Sequence, residues 1–122
     1  MSDLRSQITD VIDNESVALF MKGTPEFVMC GNSMRALRAL RQAGAPVTAI
    51  DILPHSAFRE ELSAVSGWPT IPQIFVKGEL VGGADIVEEL AASGELERKL
   101  SEALGDGYRA TRDERVVELA AA

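Results

Sequence analysis

The chain of 122 residues carries a net charge of −7 with 46% hydrophobic and 25% charged residues, a composition that suits one domain with its own core and excludes a disordered class. With no cluster of lysine and arginine, that acidity argues against a nucleic-acid binder, and no apolar run approaches the roughly 18 residues a membrane-spanning helix needs. An acidic N-terminus, MSDLRSQITDVIDNES, and a single cysteine lead us to expect a cytoplasmic, reducing setting.

Leu4, Ile8, Val11 and Ile12 recur at helical spacing, and the continuous apolar run VALFMK, Val17 to Lys22, reads as a buried strand. Gly23-Thr24-Pro25 breaks it. After Cys30, the stripe Met34, Leu37 and Leu40 predicts a helix that Gly44 and Pro46 terminate. VTAIDIL, Val47 to Leu53, reads as a second strand stopped by Pro54. Ser56 is placed to cap a helix on which Phe58, Leu62 and Val65 share a face until Gly67. QIFVK and ELVGG around Lys77-Gly78 predict a hairpin, Asp85 is a good N-cap for IVEELAAS, and Gly94 sets off a further amphipathic piece, ELERKLSEAL. Residues 105–122 read as a mobile or weakly helical tail outside a domain of residues 1–104.

The order α-β-α-β-α-β-β-α-α predicts an α/β fold with a four-stranded mixed sheet flanked by helices. Two strands joined by a helical crossover pair in parallel, and the final two form an antiparallel hairpin. Parallel central strands are buried on both faces, which accounts for VALFM being apolar throughout.

Chemistry concentrates around Cys30. A thiol at a helix start lies beside free backbone N–H groups and the positive end of the helix dipole, which favour the thiolate. Such a sulfur can attack or ligate; the competing reading is a small buried hydrophobe. Lys22, at the strand end, can add positive charge on the same edge of the sheet, where open α/β sheets collect ligands. In GWPTIPQIFV, Gly67 to Val76, Pro72 stands at a strand entrance, and a cis bond there would open the Ile71 backbone to an extended peptide. In VGGADIVEEL, Val81 to Leu90, the glycine pair permits close approach, and the helix start offers N–H groups to an anion. Asp85 either caps that helix or receives an ammonium group.

Together KGTPEFVMCGNS, WPTIPQIFVKGELVGG and ADIVEEL resemble the monothiol glutaredoxin family, a thioredoxin-like fold group whose usual motif is Cys-Gly-Phe-Ser. The resemblance runs from about Leu4 to Leu104. It implies a cis-proline at Pro72 and binding of glutathione. Lys22 and Arg59 would hold the glycine carboxylate, Ile71 would pair with the tripeptide backbone, and Ala84-Asp85 would hold the γ-glutamyl end.

It also implies a [2Fe–2S] cluster bridged between the subunits of a homodimer, with Cys30 as the metal ligand and glutathione supplying the remaining sulfur, since such clusters usually take four thiolates. BolA-type proteins and apo iron–sulfur acceptors are the partners the family implies. Three positions depart from the pattern: Asn32 replaces the usual phenylalanine, Val28 a common proline, and Ala84 a cysteine that many relatives carry. His55, the only histidine, lies off the motifs and is expected to be exposed. The expected function is a glutathione-dependent iron–sulfur scaffold or carrier. The alternatives are a monothiol oxidoreductase with Cys30 as nucleophile, removing glutathione from proteins, and a cofactor-free adaptor.

Overall fold

The computed structural model describes residues 3–119; the last three residues of the expected tail lie outside the described residues. The first helix, α1 (Leu4–Asn14), is capped by the Asp3 carboxylate, which accepts the Ser6 N–H at 2.8 Å. β1 (Val17–Met21) leads through the cysteine loop into α2 (Gly31–Gln42), and β2 (Val47–Asp51) into α3 (Phe58–Ser66). The hairpin β3 (Gln73–Val76) and β4 (Glu79–Gly82) is followed by α4 (Ala84–Ser93) and α5 (Glu95–Leu104), joined at left-handed Gly94. A 3-10 turn, Tyr108–Thr111, and β5 (Glu114–Val116) complete the described chain.

The sheet has the order β4-β3-β1-β2-β5. β1 pairs in parallel with β2 and antiparallel with β3. Being central, β1 sends alternate side chains to opposite faces, and both faces are covered. Val17, Leu19 and Met21 pack with Leu37 and Leu40 of α2, Val87 of α4, and Leu96 and Leu100 of α5. Ala18 and Phe20 face Ile8 and Ile12 of α1 and Phe58 and Leu62 of α3. The Phe20 ring meets Phe58 and Phe75 edge-on at 6.0 and 5.7 Å. All five β1 residues are therefore buried, and full burial of each large side chain contributes about 1.5–3 kcal/mol relative to exposure.

The sheet has five strands where the sequence predicts four. β5 extends the sheet in parallel beside β2, with Val47 opposite Glu114 and Ala49 opposite Val116. Three exposed residues are too few to reveal a strand by alternation. What holds them is tertiary: the Arg41 guanidinium donates to both carboxylate oxygens of Glu114 at 2.6 and 2.8 Å, and Arg115 pairs with Glu15. Buried Tyr108 donates its hydroxyl to the Ala43 carbonyl at 2.7 Å. The segment expected to be mobile or weakly helical thus carries a turn and a strand over residues 108–116.

Two caps also differ from expectation. Ala57, not Ser56, is the N-cap of α3, and Gly83, not Asp85, is the N-cap of α4; neither start has a side-chain cap bond. Asp85 lies inside the first turn of α4, where its carboxylate is drawn to an arginine instead. No helix among the described residues is long and apolar enough to cross a membrane.

Candidate functional site

β1 and β2 end, β3 begins and β4 ends at one edge of the sheet. That edge gathers the cysteine loop, the Ile71-Pro72 segment and the start of α4. The loop from Lys22 to Met29 is a tight hairpin: Met29 N–H donates to the Lys22 carbonyl at 2.9 Å, and Thr24 and Phe27 exchange backbone bonds at 3.2 and 3.0 Å. Gly23 has φ +94°, and a β-carbon there would lie 2.2 Å from the Phe27 carbonyl oxygen, so only glycine fits. Its N–H donates to Asp51 Oδ1 at 2.9 Å. Val28, the residue standing for proline, bridges Gly23 and packs against the core.

Cys30 is the N-cap of α2 and a free, half-buried thiol. The Cys30 side chain makes no cap hydrogen bond, yet the backbone N–H of Ser33 in the first turn is the strongest influence holding the thiol pKa below its ordinary value. Partial burial opposes that effect, while the Asn32 N–H, the Ser33 hydroxyl and the Lys22 ammonium add to it. Fully buried Ser33 also accepts the Lys22 N–H at 3.1 Å, fastening α2 to the end of β1. Among the described residues no group of three or more His, Cys, Asp or Glu side chains is placed to hold a metal ion. With Cys30 its one cysteine, the chain offers a single thiol at the site.

Beside the thiol helix runs a groove of about 380 Å³ lined by Asn32, Arg35, Trp68, Thr70, Ile71, Pro72 and the segment Gly83 to Ile86. The Ile71–Pro72 bond is cis. Among the described residues, none of the backbone bonds formed outside helices and strands uses the Ile71 N–H or C=O. Of the residues singled out from sequence, Ile71, Ala84 and Asp85 line this groove, whereas Cys30, Lys22 and Arg59 do not; Asn32, two residues after the cysteine, is the lining residue nearest to it in the chain. Arg59 is exposed on α3 and donates to the Pro69 carbonyl at 3.3 Å. His55 is half-buried rather than exposed, its Nε2 2.7 Å from the Leu119 carbonyl oxygen.

Three residues were not singled out from sequence: Trp68 and Arg35, which line the groove, and Gln73, which bonds to the loop that lines it. Gln73, fully buried, donates through Nε2 to the carbonyls of Trp68 at 2.9 Å and Thr70 at 3.1 Å, shaping the loop before Pro72. The Trp68 indole lies so close to Gly83 that a β-carbon there would come within 3.2 Å of Nε1. Arg35 reaches across from α2 to α4, donating to Asn32 at 3.0 Å, Asp85 at 2.6 Å and Glu88 at 2.5 Å. The guanidinium in turn holds the Glu88 carboxyl below its usual pKa. A polar residue three positions before an arginine on a helix was the one available hint of this contact.

The family model described as Glutaredoxin matches residues 17–81. A probable monothiol glutaredoxin 2 of Rickettsia felis is 47% identical over 93 residues, 76% of this chain and 89% of that relative. Glutaredoxin 4 of Pasteurella multocida is 44% identical over 96 residues, 79% of this chain and 88% of the relative. A rice relative, monothiol glutaredoxin-S11, is 48% identical over 99 residues, 81% of this chain, although the chain spans only 20% of that protein's length.

Among solved structures, a monomeric truncated mutant of Trypanosoma brucei 1-C-Grx1 superposes with a TM-score of 0.74 at 41% identity, covering 84% of this chain and 93% of that one. Reduced apo GrxS14 of poplar gives 0.73 at 38%, covering 83% and 93%. The fold is thus thioredoxin-like, a mixed sheet between helical layers with a thiol at one helix start. The chain belongs to the monothiol glutaredoxin family.

Proposed function

We propose that this protein is a glutathione-dependent iron–sulfur scaffold or carrier, in which Cys30 and glutathione thiols hold a [2Fe–2S] cluster between two subunits. The observation that carries this reading is the lone, half-buried thiol of Cys30, its pKa lowered at the head of α2, the helix whose Asn32 and Arg35 line a groove that reaches the start of α4. Such a cluster usually takes four thiolates. One chain contributes one, so a homodimer contributes two and two glutathione molecules the rest. The donor chemistry suits the cargo: the thiolate is soft, favoured by local N–H groups and reachable by outside ligands.

In this reading Lys22 and Arg59 hold the glycine carboxylate, the Ile71 backbone pairs with the tripeptide, and Ala84-Asp85 receives the γ-glutamyl end. Gly82-Gly83 and the following helix start support that end of the scheme by leaving room for close backbone approach. Acceptors are apo iron–sulfur proteins and BolA-type partners, and the setting is cytoplasmic and reducing, in keeping with the single thiol. Loss of the cluster separates the dimer, a property that suits a carrier.

The lowered thiol pKa also favours a second reading, a monothiol oxidoreductase. The Cys30 thiolate attacks the glutathione sulfur of a protein mixed disulfide, and the protein leaves as a thiolate that takes a proton from solvent. A second glutathione thiolate then attacks the Cys30–glutathione disulfide, releasing glutathione disulfide and restoring Cys30.

Anaerobic reconstitution with iron, sulfide and glutathione, comparing wild type with Cys30→Ser by visible absorption and by size, separates these. A coloured dimer dependent on both Cys30 and glutathione supports the carrier. Its absence together with rapid turnover of a glutathione mixed disulfide assigns the oxidoreductase, and absence of both leaves an adaptor without cofactor.

A further inference from the structure

Arg35 lies one turn beyond Asn32 on α2 and lines the groove opposite the start of α4. Its Nη1 donates to Asn32 Oδ1, and its Nη2 donates to both Asp85 Oδ1 and Glu88 Oε1. A guanidinium carries five N–H donors. These three bonds leave the Nε–H and one Nη1 hydrogen unused among the described residues. The Asp85 side chain remains 90% exposed and that of Arg35 35% exposed, so both groups can be reached from the groove.

The rim therefore presents a cation and an open carboxylate 2.6 Å apart. That pair is complementary to an amino-acid head group, whose α-carboxylate and α-ammonium stand at similar separation. Without Arg35, the same rim would present Asp85 and Glu88 alone, two like charges that repel a ligand carboxylate.

We propose that Arg35 contacts the α-carboxylate at the γ-glutamyl end of glutathione while Asp85 takes the neighbouring ammonium. The assignment rests on the glutathione reading above and makes Arg35 a specificity-determining residue of that site. Asn32 and Glu88 act as positioning residues, holding the planar fork at the groove's edge. The polar residue in the cysteine motif then has a task that phenylalanine cannot perform.

The test is titration of the full chain, followed by amide NMR shifts, with three S-methylated probes that cannot exchange disulfides. These are S-methylglutathione, its analogue lacking the α-carboxylate (4-aminobutyryl-S-methylcysteinylglycine), and its analogue lacking the α-ammonium (glutaryl-S-methylcysteinylglycine). Arg35→Gln is expected to weaken S-methylglutathione roughly tenfold, as loss of a charge-assisted hydrogen bond implies, and to leave the 4-aminobutyryl probe unaffected. Asp85→Asn should show the reverse selectivity, sparing the glutaryl probe.

Equal weakening of all three probes by Arg35→Gln, or none, overturns the assignment. Recovery of S-methylglutathione binding in Arg35→Gln/Glu88→Gln also overturns it, since Arg35 would then only mask Glu88. If the wild type shows no saturable shift with S-methylglutathione, the glutathione reading itself fails and the assignment to Arg35 falls with it.

Discussion

The Ser33 hydroxyl accepts the backbone N–H of Lys22 at 3.1 Å, while the same residue, through its N–H and its hydroxyl, lowers the pKa of the Cys30 thiol. One buried serine thus locks the thiol helix to the strand and stabilises the thiolate. Alkylation of Cys30 by iodoacetamide, followed against pH, should show a midpoint below the ordinary thiol value of about 8.5, and Ser33→Ala should move it upward. The folded thiol titrates below the unfolded one, so the thiolate's contribution to stability is fully present above the unfolded pKa and is lost as pH falls through the folded pKa. Denaturant melts should accordingly show wild type gaining stability over Cys30→Ser as pH rises between the two values, with no further gain above the upper one.

Gly83 allows the α4 start to close on the loop before β3: an added β-carbon would lie 3.2 Å from Trp68 Nε1 and 3.3 Å from the Pro72 carbonyl oxygen. Neither neighbour is the far end of a flexible chain. Gly83→Ala should therefore cost about 1–3 kcal/mol, the usual range for overpacking, and should perturb Trp68 fluorescence. An unchanged denaturation midpoint would show that the loop yields freely.

Gln73 fixes the other wall. Replacing it with leucine removes both donors to the Trp68 and Thr70 carbonyls while keeping an apolar filling. Loss of these bonds should cost about 1–3 kcal/mol. The same variant should weaken glutathione, because the groove wall loses its tether. Calorimetry and ligand titration on one preparation check both effects together.

Asn32 is exposed at the motif position that resembles a phenylalanine site. A small amide excludes less water than an aromatic ring. Clusters reconstituted on Asn32→Phe should lose their visible absorption several-fold more slowly than wild type under matched oxygen, with glutathione saturating both proteins so that the lost Asn32–Arg35 bond does not limit the cluster; equal decay curves would count against this account.

Tyr108→Phe removes the one hydroxyl that Ala43 accepts at 2.7 Å and keeps the ring. A loss of about 1 kcal/mol, read as a drop of a few degrees in Tm, is expected. Cys30 alkylation should be unaffected, since Tyr108 belongs to the core cluster beneath α2 and α5 rather than to the groove.

Sequence patterns revealed the elements whose burial is nearly complete. VALFM could be read as a two-faced strand because both its faces are covered, and Gly67 and Gly94 marked helix ends because each takes a left-handed conformation, φ +75° and +83°. The cysteine loop and the α4 start were legible because glycine and a helix-initial thiol have few alternative uses. What escaped was relational. Gln73 looks like an ordinary first strand residue until the carbonyls it serves come into view, and Arg35 looks like a solvated helix cation until α4 is packed against α2. Asp85 satisfied a cap rule yet pairs with that arginine, and β5 is held by Arg41 and Tyr108 from elements distant in the chain.

Because β5 runs parallel to β2, the backbone is carried toward the edge of the sheet where β2 ends, and Val117 to Leu119 share a cleft with Thr24, Asp51, Pro54 and His55. Val117 and Leu119 pack, together with Leu4, against the layer that α1 and α3 form over the sheet, so a chain cut short before Glu114 would lay bare apolar side chains of that layer.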